Sequence, residues 1–137
     1  MLVLAVSLAL PACAQEASWE ELNVKVETLY QQGRYSEAAK LAEETLKVAE
    51  TTFSPDHPAV AQSLNILAEL YREQGKYAEA EPLYQRALAM SEKALGPDHP
   101  EVATLLEHMA KLYKRTGRGG EAEKFERRAK GIRSRNQ

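Results

Sequence analysis

The amino-acid sequence predicts an all-α solenoid of three antiparallel helix pairs. The first ground is an internal repeat: Pro55-Asp56-His57-Pro58 returns as Pro97-Asp98-His99-Pro100, and holding that offset of 42 from Pro55 through Leu88 gives 16 identities in 34 positions. Carried backwards, the same offset sets Leu22, Asn23, Gly33, Ala38 and Leu41 beneath Leu64, Asn65, Gly75, Ala80 and Leu83, so there are three units. The second ground is apolar spacing at a helical period within each unit, and the third is glycine at the points where the period stops. With 137 residues, 44% hydrophobic, 28% charged and a net charge of −2, the chain fits one globular domain and excludes disorder, a collagen and a multidomain enzyme.

Taken in order, residues 2 to 10 are an uncharged apolar run, too short to span a bilayer, which needs about 18 residues or more. Pro11 breaks it, and Ala12-Cys13-Ala14 has the small-x-small form of a secretory cleavage site. Residues 1–14 therefore read as a cleaved signal peptide and 15–18 as a linker, which implies a periplasmic or secreted protein. No basic residue precedes the run, a departure from the usual signal. Cys13 also allows anchoring through a lipid, although Pro11 fits the lipoprotein pattern poorly. One cysteine cannot close an internal disulfide.

The repeat array is expected over 19–135, in units of about 19–53, 57–95 and 99–133. In the first unit Lys25 and Val26 stand where the second has Leu67 and Ala68, the mark of a terminal cap. Trp19, one turn before Leu22, either plugs the open end or forms an exposed rim. In the second unit Leu64, Leu67, Ala68 and Tyr71 share one helical face, and Gly75 ends that helix by taking a left-handed conformation. Its second helix carries Tyr77, Ala80, Tyr84, Ala87, Leu88, Ser91 and Leu95, where small residues alternate with large ones and permit close approach. Gly96 and Pro97 stop it. Asp98 or His99 then caps the next helix, with Pro100 in its first turn. In the third unit Gly119, Glu126 and Lys130 replace Tyr77, Tyr84 and Leu88, leaving a last helix apolar only at Ala122, Phe125, Ala129 and Ile132, as a solenoid ends.

Asn65-Ile66-Leu67-Ala68 with Tyr71, Gly75, Tyr77, Ala80 and Glu81-Pro82-Leu83 resembles a tetratricopeptide repeat, of the 42-residue kind found in kinesin light chains and their bacterial relatives. The resemblance covers about residues 19 to 133 and implies a right-handed superhelix. It further implies that the first helix of each pair lines a concave surface, where an extended partner segment is held and asparagines bond its backbone.

Catalytic patterns are missing: there is no phosphate loop, nucleophile elbow or His-Glu-x-x-His helix, and Gly119-Gly120 reads as an isolated turn. Glu107 and His108 adjoin but do not face each other on a helix. No enzyme, cofactor or metal site is expected. His57 and His99 repeat, yet each lies between Asp and Pro at a helix start, where capping explains it. Tyr71, Tyr77, Tyr84 and Tyr113 read as core.

What packing leaves over is a polar stripe on the first helices. By position it comprises Asn23, Glu27, Asn65, Glu69, Arg72, Lys111, Lys114 and Arg115, and these are the expected partner-binding residues. Glu107 interrupts the asparagine series. Charge is uneven, with −5 over residues 15–68, −4 over 69–110 and +7 over 111–137. The expected partner is a protein or peptide, acidic where it meets the basic third unit. An anionic membrane surface and weak head-to-tail self-association are the alternatives, and nucleic acid is not expected because stacking aromatics are lacking.

Overall fold

The structure, a computed structural model, describes residues 17–137, which form six α-helices and, among the described residues, no strand. These are α1 (Trp19–Gln31), α2 (Tyr35–Thr52), α3 (Pro58–Glu73), α4 (Tyr77–Leu95), α5 (Pro100–Arg115) and α6 (Gly119–Arg135). Each helix packs on its neighbours in sequence, and α3 also touches α5 directly. This is the connectivity of a solenoid, in which every unit meets only the next. The residues read as signal and lipid-anchor candidates, Cys13 included, lie outside the described residues. Among the described residues no helix is long and apolar enough to cross a membrane.

Helix ends follow from local chemistry. Ser18 Oγ accepts from the Glu21 amide at 3.2 Å, which starts α1. His57 and His99 start α3 and α5 the same way, each Nδ1 accepting the amide two residues on, at 3.0 and 3.1 Å. Pro58 and Pro100 occupy the first turn, where the missing N–H costs no helical bond. Of the two candidate caps before α5, His99 serves, and Asp98 is engaged elsewhere.

Gly75 has φ +75, and the bonds from its own amide to Arg72 O (3.0 Å) and from Lys76 N to Tyr71 O (2.8 Å) close the left-handed turn that joins α3 to α4. Gly119 and Gly120 differ from expectation. They form the first turn of α6, where the helix has no preceding carbonyl ladder to satisfy and glycine is tolerated.

The core is a stack of repeated contacts. Ala38, Ala80 and Ala122 occupy one repeat position and are wholly buried, letting the paired helices meet closely. Val60, Leu64, Val102, Leu106 and Ile132 are equally enclosed. Trp19 neither plugs the open end nor forms an exposed rim: it packs between the first and second units, its Nε1 donating to Ser63 Oγ at 2.7 Å and its ring meeting Phe53 edge-on at 5.8 Å.

Ion pairs also repeat. Glu50–Arg86 (3.2 Å) returns one unit later as Glu92–Arg128 (3.1 Å), and Asp56–Lys93 (2.9 Å) returns as Asp98–Arg135 (2.6 Å). Each rung joins an acid of one unit to a base of the next.

Candidate functional site

Between the first helices the surface stays open. A groove of about 590 Å³ separates α1 from α3, walled by Asn23, Val24, Glu27, Thr28, Gln31, Gln32, Gln62 and Ile66. A second, of about 230 Å³, is lined by Gln62, Asn65, Glu101, Thr104 and Leu105, with Ala61 and Ser91 at its base. Gln62 belongs to both, so the two form one path across α1, α3 and α5. The walls combine amides and hydroxyls with the carboxylates of Glu27 and Glu101 and the apolar Val24, Ile66 and Leu105, chemistry that suits hydrogen bonding to an extended chain.

At the α1 end, Asn23 Oδ1 is enclosed and has no hydrogen-bond partner. Such an orphaned acceptor costs about 1–3 kcal/mol and is relieved by any donor that reaches it. Glu27 is exposed in the same groove and accepts from Gln31 Nε2 at 2.8 Å, and among the described residues no cation pairs with it.

The central residues are bound to one another. His108 of α5 sets Nδ1 3.1 Å from Asn65 Oδ1 and Nε2 3.1 Å from Glu69 Oε1. Arg72 lies 3.1 Å from Glu73 and 3.6 Å from Glu69, its charge shared between them. Its guanidinium also lies near enough to the Tyr84 hydroxyl for each to perturb the other, yet not in line for a hydrogen bond: Arg72 Nε and Tyr84 Oη both lack a partner. Burial pushes the Tyr84 phenol well above its ordinary range and pulls the His108 imidazole below its own, with Glu69 opposing the latter shift.

His108 was not among the residues expected from the stripe. It occupies the repeat position of Ile66, an apolar slot in the second unit, and a histidine in an apolar slot is the one sign the sequence offers. Glu107, its neighbour, turns the other way and pairs with Arg133 at 3.1 Å.

At the α5 end, Lys111 and Arg115 are exposed and no acid pairs with them among the described residues. Lys114 is instead tied to Glu126 of α6. That pair occupies the positions of Arg72 and Tyr84 one unit earlier, so the slot is filled by an ion pair in place of an arginine against a phenol.

The charge surplus of the third unit is spent largely within the fold. Arg118 binds Glu81 at 2.7 Å and holds that carboxyl below the usual range, while Arg128, Arg133 and Arg135 meet Glu92, Glu107 and Asp98. Those bases are rungs between packed helices more than a free electropositive field. Among the described residues no group of three or more His, Cys, Asp or Glu side chains is placed to hold a metal ion.

Comparison with known proteins matches this architecture. The family model of the tetratricopeptide repeat matches residues 21–93 and again 63–135, windows that overlap by the middle unit. Among solved structures, the nearly identical TPR-like repeats of a chain described as a kinesin light chain of Podosopora anserina superpose with a TM-score of 0.78 at 24% identity, covering 86% of this chain and 56% of that one. BtubC (BKLC) from P. vanneervenii superposes with a TM-score of 0.71 at 24% identity, over 85% of this chain and 46% of that one. The chain thus spans about half the length of these structures, and the likeness at this identity is one of fold. No curated protein matches it.

Proposed function

Since the chain belongs to the tetratricopeptide repeat family, whose repeats generally mediate protein–protein interaction or assembly, we propose that it binds an extended segment of a partner protein on the concave face formed by α1, α3 and α5. The observation that carries this reading is the continuous amide-lined path through Asn23, Gln62 and Asn65, open along the face that the packed second helices leave uncovered. Backbone groups of an extended segment find donors and acceptors there, and Val24 and Ile66 supply apolar contact. The mechanism is reversible binding. Repeats of this kind are typically non-enzymatic scaffolds, and we assign no reaction to the groove.

Self-assembly is the rival reading, and the ion-pair rungs speak against its simplest form. At the outer edges Glu44 stands at the position of Arg86, and Ser134 at the position of Glu92. Two copies stacked in the repeat register would therefore lack the rung that joins units within one copy. For location, the Leu2–Leu10 run and Ala12-Cys13-Ala14 support an exported protein, with a lipid on Cys13 as the alternative.

The test is capture of partners from an envelope extract by the protein and by a Gln62→Trp variant, which fills the wall common to both grooves. Loss of a captured protein by a variant of unchanged helicity is the expected result. Equal capture by both would move binding off this face.

A further inference from the structure

Exposed charge on the concave face changes sign between α1 and the C-terminal half of α5. One column of the repeat, at positions 27, 69 and 111, reads Glu, Glu, Lys across α1, α3 and α5. The middle member is engaged, because Glu69 meets both His108 and Arg72. Glu73 of the next column meets Arg72 as well. Among the described residues, what remains unpaired in these two columns is Glu27 at the α1 end and Lys111 with Arg115 at the α5 end, while Glu101, also unpaired, lines the groove at the opposite, N-terminal end of α5.

Building on the concave-face reading above, we propose that the segment this face takes is itself charge-polarised, with a basic side chain over Glu27 and an acidic one over Lys111 and Arg115. The uniformly acidic partner suggested by the basic third unit does not suit the α1 end, where an acid would face Glu27. Spacing follows from geometry. Neighbouring helices sit about 10 Å apart, so α1 and α5 are about 20 Å apart, a distance that about six extended residues cover. The recognised segment therefore carries one base and one acid about six positions apart, joined by a stretch that crosses the Arg72 cluster, whose charged groups are engaged with one another.

The experiment is selection of random linear dodecapeptides displayed on phage against the immobilised full chain, Glu27→Lys, the double variant Lys111→Glu/Arg115→Glu, and Gln62→Trp. All altered side chains are exposed, and circular dichroism confirms helicity before selection. The protein is expected to enrich peptides with a base and an acid five to seven positions apart. Glu27→Lys should lose the base from its consensus, the double variant should lose the acid, and each should bind a peptide selected on the parent about fivefold more weakly, as for single exposed ion pairs. Gln62→Trp should enrich none of these peptides. Enrichment of wholly acidic, wholly basic or charge-independent peptides that is still abolished by Gln62→Trp would overturn the polarity and keep the groove. Enrichment untouched by Gln62→Trp, or none by any of the proteins, would overturn both.

Discussion

His108 of α5 and Glu69 of α3 face each other with Nε2 3.1 Å from Oε1, and this contact spans the gap between the first helices of two units. The other ring nitrogen faces Asn65 Oδ1 at 3.1 Å. An imidazolium donates to both oxygens. A neutral imidazole has one N–H, so it keeps the bond to Glu69 only if Asn65 turns its amide and donates Nδ2 to Nδ1. The protonation state of one buried histidine thus sets which end of the Asn65 amide points into the groove.

The first prediction concerns pH. Burial, the largest influence, lowers the His108 pKa from 6.5; Lys111 and Arg72 lower it further, whereas Glu69 and Glu107 raise it, and the Tyr84 ring lies 6.2 Å away. Because the folded state resists the proton that the unfolded chain accepts near pH 6.5, stability is lost as pH falls through that value and levels off below the folded pKa. The melting temperature should fall more between about pH 7.5 and about pH 5.5 for the parent than for His108→Gln. Parallel pH curves would exclude His108 as the responsible group.

Tyr84 is fully buried with no partner for its hydroxyl. Replacing it by phenylalanine keeps the packing and removes an unsatisfied polar group, so Tyr84→Phe should stabilise the fold by about 1 kcal/mol in urea titration. A destabilised variant would mean that the hydroxyl is bonded, to the neighbouring Arg72 guanidinium or through an ordered water.

His99 caps α5 through Nδ1. His99→Ala should cost about 1 kcal/mol, and His99→Asn, which offers an oxygen at the same place, only a fraction of that. Equal losses from both would assign the contribution of His99 to packing.

Glu92 and Arg128 are about one-third exposed, with side-chain accessibilities of 33% and 38%. A double-mutant cycle with alanine should give a coupling of about 0.5 kcal/mol that shrinks in about 0.5 M salt. A cycle that closes at zero would leave the repeated rungs as geometric markers only.

The sequence by itself determined the number of units, the helix boundaries and the character of the core. Each of these rests on local or repeated chemistry: glycine at positive φ, proline in a first turn, apolar residues at a helical period, and an offset that aligns them. It also marked a polar stripe on the first helices, from Asn23 to Arg115. The tertiary structure alone decided which of those side chains are at liberty. Asn65 and Glu69 are held by a histidine from another unit, Arg72 is spent on two glutamates, Lys114 is tied to Glu126, and Arg128 and Arg135 of the last helix bind acids that precede the third unit. Apart from the Arg72 contacts within α3, those pairings join residues 12 to 43 positions apart, at angles set by how the pairs stack, and no spacing within one helix encodes them. Helical periodicity says which face a residue occupies; only the neighbouring helix says whether its charge is already answered.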